Sequence, residues 1–122
     1  MDIDTALKEA MEIDGALGVS LVDYSSGMAL GSLGGGKYLN LEVASAGNTE
    51  VVRAKMRTLE SLNLKDTIDD ILITLGRQYH LIRLVTGHSG SGLFFYLALD
   101  RGKANLALAR HHLSRIENEL SV

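Results

Sequence analysis

The chain has 122 residues, 46% of them hydrophobic and 22% charged, the proportions of an ordinary globular domain and not of a disordered or fibrous chain. Its formal net charge of −3 argues against a nucleic-acid binder, which carries a basic field over one face. The absence of cysteine excludes disulfide frameworks, thiolate metal sites and thiol catalysis. A single domain over residues 1–122 is expected from the length. No apolar run approaches the roughly 20 residues of a membrane span, and the acidic, helix-like start is unlike a signal or transit peptide. The expected location is therefore the cytoplasm.

Asp2 or Asp4 can cap a first helix that carries Ile3, Leu7, Ala10 and Met11 on one face and ends at Gly15. Residues 16–24 alternate, with Leu17, Val19 and Leu21 on one side and Gly18 and Ser20 on the other. Tyr24-Ser25-Ser26-Gly27 signals a hairpin turn, and residues 28–33 read as the returning strand. Gly34-Gly35-Gly36 reads as a flexible joint, followed by a long helix over residues 40–62. Residues 68–75 form a strand with Ile71, Ile73 and Leu75 on one face, and Gly76-Arg77-Gln78 turns into a strand over residues 79–86. A glycine-rich loop, residues 87–92, leads to Leu93-Phe94-Phe95-Tyr96-Leu97-Ala98-Leu99. That strand is apolar on both faces, so it belongs in the middle of a sheet with helices on both sides. Residues 104–120 close the chain as a helix with Leu106, Ala109, Leu113, Ile116 and Leu120 at 3–4 spacing. The element order is αββαβββα.

Two stretches of this pattern carry a resemblance. Asp14-Gly15-Ala16-Leu17-Gly18-Val19-Ser20-Leu21-Val22-Asp23 with Ser26-Gly27-Met28-Ala29 resembles the first hairpin of the Roadblock/LC7 family. The run from Ile71 through Leu99-Asp100-Arg101 to Ala104-Asn105-Leu106-Ala107-Leu108-Ala109-Arg110 is similar to that family's last three strands and final helix. The likeness covers nearly the whole chain and is greatest to the bacterial single-domain members. It implies an α/β (α+β) sandwich: a five-stranded antiparallel sheet with the middle helix on one face and the two terminal helices on the other. It also implies a homodimer joined through the third strands, and a role as regulator or scaffold of a small Ras-like GTPase.

Catalytic and cofactor chemistry finds no support in the residues. A P-loop needs Lys and then Ser or Thr after its last glycine, where this chain has Leu93 and Phe94. The loop precedes a strand, so no helix N-terminus faces a phosphate and a plain hairpin loop is expected. Gly87-His88-Ser89-Gly90-Ser91 does not match a nucleophile elbow either. His111 and His112, adjacent on a helix, point about 100° apart and cannot share a metal. They read as a solvated and a rim histidine. His80 and His88 lack a carboxylate or thiolate at ligand spacing, and Asp69 and Asp70 face opposite ways on a strand. No catalytic residue, metal ligand or cofactor is therefore assigned.

The long helix has two apolar groups. Val43, Gly47, Val51, Ala54 and Leu62 cluster within about 100° and suit packing on the sheet, with Gly47 allowing close approach. Leu41, Val52, Met56 and Leu59 form a second group, and Asn48 and Lys55 run between the two. An apolar arc this broad exceeds what one sheet requires, so Asn48, Val52, Lys55, Met56 and Leu59 are expected at a dimer or partner interface, the alternative being that the curvature of the sheet and a neighbouring loop bury the second group within one subunit. Leu72 and Thr74, on an uncharged run over residues 71–75 that would attract a second copy at a sheet edge, join them, with Asp70 at the end of that run. Asp70 can also serve there as a guard against aggregation.

Arg101, Lys103 and Arg110 near the start of the last helix, with Glu117 and Glu119 near its end, oppose the helix dipole. They can mark a surface for an acidic partner or be ordinary surface variation, with Arg110 anchored to a carboxylate or carbonyl of the fold. The function expected is a non-catalytic homodimeric binding module for a small GTPase, the GTPase being a separate chain. The alternative is a small-molecule sensor with a pocket between sheet and helix, where Gly18, Ser20 and Ala29 leave room.

Overall fold

The structure is a computed structural model that describes residues 1–87 and 92–122. The loop expectation, together with the P-loop and nucleophile-elbow comparisons and His88, rests on residues 88–91 and lies outside the described residues. Eight elements follow in the order α1 (Ile3–Met11), β1 (Ala16–Asp23), β2 (Met28–Gly34), α2 (Leu41–Ser61), β3 (Asp70–Thr74), β4 (Gln78–Leu84), β5 (Leu93–Asp100) and α3 (Leu106–Glu119). Every strand pairing is antiparallel and the sheet order is β2-β1-β5-β4-β3. The expected α+β sandwich and element order are thus observed. No described helix is long and apolar enough to cross a membrane.

Local chemistry sets the helix starts. The Asp2 carboxylate accepts from the Thr5 amide at 2.8 Å, Asn40 accepts from the Glu42 and Val43 amides, and Asn105 accepts from Leu108. Each supplies a partner to amides that the first helical turn leaves unbonded. The hairpin turn between β1 and β2 is tied by the Asp23 carboxylate, which accepts from both the amide and the hydroxyl of Ser25.

β5 is buried along seven of its eight residues and divides the interior in two. On one side Val19, Leu21, Leu81, Phe95 and Leu97 meet Leu7 and Ala10 of α1 and Ala109, Leu113 and Ile116 of α3. On the other, Val22, Ile82, Phe94, Tyr96 and Ala98 meet Val52 of α2. The expected alternation of β1 fails at its start. Ala16 pairs with Leu99 but Gly18 pairs with Ala98, so Leu17 is an extra residue in a bulge. Leu17 consequently packs on the α2 side, opposite Val19 and Leu21.

The two apolar groups of α2 exchange roles. Leu41, Ser45, Thr49, Val52 and Met56 face the sheet, with Val52 wholly buried and Met56 packed against the α2-side core. Val43 is 69% exposed, Val51 37% and Leu62 60%, and a Cβ at Gly47 would meet nothing within 4 Å. Ser45 and Thr49 tolerate burial because their hydroxyls donate to the carbonyls of Leu41 (2.6 Å) and Ser45 (2.7 Å). A hydroxyl satisfied within its own helix presents mostly carbon to the sheet.

Gly34, the last residue of β2, and Gly35 after it are packed tightly and do not form a loose joint, whereas a Cβ at Gly36 would meet nothing within 4 Å. Gly34 and Gly35 hold φ of +75° and +78°, a region that disfavours any side chain. A Cβ would lie 2.7 Å from the Leu17 carbonyl oxygen at Gly34 and 2.8 Å from the Leu39 carbonyl oxygen at Gly35.

Two leucines of α3 test this layering. Leu113 is fully buried and Leu108 is 52% exposed. Leu113→Ala should lower unfolding free energy by about 2–5 kcal/mol, and Leu108→Ala by no more than about 0.5 kcal/mol, both read from denaturant titrations followed by circular dichroism. Equal losses would contradict the burial described.

Candidate functional site

α2 packs on β1 and β2, leaving the β3–β4 end of that sheet face without a helix over it. Ile71 and Ile73 point there, opposite Ile82 and His80 respectively, and both are half-buried. β3 is the last strand of the sheet, so its outer row of backbone groups has no strand beside it. On α2, Val43, Gly47 and Ala54 are exposed on the side turned away from the sheet, and Val51 is exposed on the flank opposite Arg53, which reaches the β1–β2 turn. An open strand edge, a shelf of isoleucines and the Val51 flank therefore share one side of the sheet.

The residues expected at an interface divide among several environments. Val52 and Met56 belong to the core, and Leu59 is half-buried. Asn48 is half-buried and donates to the Ala44 carbonyl at 2.8 Å, while Lys55 is exposed. Val52 is thus corrected from interface to core, and Met56→Glu strikes core packing as well as any partner. Asp70, Leu72 and Thr74 do lie on the edge strand, but their side chains belong to the α3 face: their cross-strand partners Arg83, Leu81 and Tyr79 point to that side.

Asp70 does not stand alone as an edge charge. The Arg110 guanidinium grips it with Nε–Oδ2 of 3.1 Å and a second bond of 3.3 Å, a two-point pairing that fixes β3 to α3. Arg110 is therefore an anchor of the fold. Arg101 donates to the Leu75 carbonyl at 2.6 Å and stacks 5.1 Å from the Tyr79 ring, whereas Lys103 is exposed. Glu117 is 3% exposed and meets Arg83 of β4 at 3.4 Å, with Ser114 at 3.2 Å from the same guanidinium. Its place near the C-terminus of α3, costly by the helix dipole alone, is offset by that buried pairing.

One polar chain lies on the partly covered face. The Tyr96 hydroxyl and His80 Nδ1 are 3.2 Å apart, and His80 Nε2 is 2.8 Å from Gln78 Oε1. A neutral ring that donates from Nε2 to Gln78 and accepts the Tyr96 proton satisfies both contacts. Burial holds His80 below its ordinary value and pushes Tyr96 up to about 12. His111 is exposed and His112 half-buried, as a solvated and a rim histidine should be. Among the described residues, no group of three or more His, Asp or Glu is placed to hold a metal ion.

The small residues of the first hairpin do not enclose a ligand chamber. A Cβ at Gly18 would lie 3.0 Å from the Gly35 nitrogen and 3.1 Å from Leu39, and the hydroxyls of Ser20 and Ser32 are 3.0 Å apart. Ala29 lines a recess open to the surface. Sequence reasoning missed Val43 and Val51 as exposed apolar residues, and His80 and Tyr96 as a bonded pair. The line Leu41–Ser45–Thr49–Val52–Met56 at 3–4 spacing would have found the first, had hydroxyls been counted as packable.

No family model matches the sequence, and no curated protein matches it significantly. Solved structures do. A Roadblock/LC7 domain from Streptomyces avermitilis superposes with a TM-score of 0.79 at 10% identity, covering 97% of this chain and 93% of that one. MglB of Myxococcus xanthus gives a TM-score of 0.75 at 17% identity over 94% and 78% of the two chains. MglC of the same organism gives 0.62 at 20% identity over 98% and 96%.

His80 gives the site a pH signature. Burial favours its neutral ring, so the native state binds fewer protons than the unfolded chain below the ordinary value of 6.5. Its contribution to stability is full above that pH and is lost as pH falls through it. Thermal unfolding scans at about pH 7.5 and 5.5 should show a larger drop in Tm for the wild type than for His80→Gln. Equal drops would remove His80 as the cause.

Proposed function

We propose, on the premise that this chain has the Roadblock/LC7 fold, that it is a non-catalytic homodimeric protein-binding module of the cytoplasm, serving as regulator or scaffold of a small Ras-like GTPase. The observation that carries this reading is the half-covered sheet face beside the bare β3 edge. Val51 is exposed on a flank of α2, while Ile71 and Ile73 lie half-buried on the same sheet face where α2 does not reach. A two-fold axis at β3 would set the edge of one copy against that of the other, satisfying both rows of backbone groups. The second copy's α2 would then cover what one α2 leaves open. The GTPase link rests on the resemblance of the sequence to the family. The P-loop Lys-Ser/Thr pair is missing from the sequence, so the nucleotide would be held by the partner chain.

The interface assignment moves from Val52 to Val51, one residue along the same helix. Val51→Glu should halve the native mass measured by light scattering and leave the far-ultraviolet helix signal unchanged. Val52→Glu, which places a charge in the core, should abolish cooperative unfolding. A wild type that elutes as a monomer, or a Val51→Glu variant that stays dimeric, would defeat the dimer. For the partner, the purified protein used as bait should retain a Ras-like GTPase, and the complex should re-form from the two purified chains.

A further inference from the structure

The sheet has a second edge, and it is the less protected of the two. β2 reads Met-Ala-Leu-Gly-Ser-Leu-Gly, with no charged residue and no proline, although charge and proline are the usual devices that blunt an edge strand. Met28 is 70% exposed and Leu30 51%. A bulge at Leu30 is the one interruption: Leu21 pairs with Gly31 and Val22 with Ala29, leaving Leu30 unmatched.

A recess flanks the strand on each face. On the α1 side it is lined by Asp4, Leu7, Lys8 and Leu33, and on the α2 side by Met28, Ala29, Glu42 and Ser45. Gly31 and Ser32 border both. Each recess exists because β2 carries small side chains where the flanking helices stand up from the sheet. An open edge between two such recesses suits an added strand. Its backbone pairs with the edge, and its alternate side chains, which point to opposite faces, enter one recess or the other.

We infer that the β2 edge is the docking strand for an extended segment of a partner protein, carrying small apolar residues and at least one Lys or Arg. Charge selects the basic residue. Glu42 borders the α2-side recess with no basic residue beside it in the lining, while on the α1 side Asp4, with Asp2 beyond it, faces Lys8 and the N-terminal ammonium. The added strand pairs with the run Gly31–Leu33, past the bulge. A second copy of this chain is the weaker occupant. With β3 already joined to its own copy, β2–β2 pairing would extend the sheet from dimer to dimer without closing. That choice of occupant rests on the dimer proposed above; the edge and its recesses do not.

The probe is a display library of random short linear peptides selected against the purified protein. Enriched peptides should alternate small apolar residues with Lys or Arg, and should slow amide exchange at Gly31, Ser32 and Leu33. Their affinity, read by fluorescence anisotropy, should fall at least tenfold in Ala29→Arg and in Leu33→Lys, both at exposed positions. It should be unchanged in Val51→Glu, so that loss of the dimer and loss of peptide binding are read separately. Amide exchange on the wild type carries the test if either β2 variant fails to fold. Failure to enrich any peptide, protection confined to β3 or α2, or equal affinity in the β2 variants would overturn the inference. So would a wild-type mass that climbs with concentration and is held down by Leu33→Lys, since a second copy would then own the edge.

Discussion

Five strands about 4.8 Å apart make a sheet roughly 24 Å wide, whereas a helix with its side chains is about 10 Å across. One face of this sheet carries two helices and is filled: α1 and α3 share a core that reaches from Leu7 to Ile116. The other carries α2 alone, set over β1 and β2. The shortfall in helix on that face governs what the molecule shows to its surroundings. It leaves Ile71, Ile73 and His80 half-buried beside the fully buried Tyr96.

Polar pairings make the asymmetry stable. β3 has few apolar neighbours as the last strand, yet Arg110 of α3 holds its Asp70 at two points, and Arg83 of β4 reaches Glu117. Both pairings lie on the filled face, so they brace β3 and β4 from behind and leave the opposite side open. The buried Arg83–Glu117 pair would be costly to break, because either charge left alone would stay desolvated. A surface meant to be covered by another chain needs a firm backing, and these contacts supply it.

Most of the fold was legible in the sequence because its signals were of the right kind. β5 announced itself as a continuous apolar run, α3 by a strict 3–4 stripe, and the first hairpin turn by Tyr24-Ser25-Ser26-Gly27. The assignment of faces on α2 was not legible by hydrophobicity alone. Its sheet-facing line contains Ser45 and Thr49, whose hydroxyls bond back to their own helix, while its outer face contains valines. Ranking residues by apolarity inverts such a helix. Leu17 was misplaced for a different reason, since a one-residue bulge shifts the face of whatever precedes it. Arg110 had two readings in the sequence, and Asp70, forty residues away, decides between them.

The glycine that ends β2 and the one that follows it have a consequence for how the molecule can deform. Gly34 rests against the Leu17 carbonyl and Gly35 against the Leu39 carbonyl, so the last residue of an outer strand and the run-in to the long helix are wedged into one corner. A strand that bends away from its neighbour at this corner must strain the contacts by which Gly34 and Gly35 meet Leu17 and Leu39. Any side chain introduced at either glycine would pry that corner apart, and the damage would appear along the helix as well as at the strand.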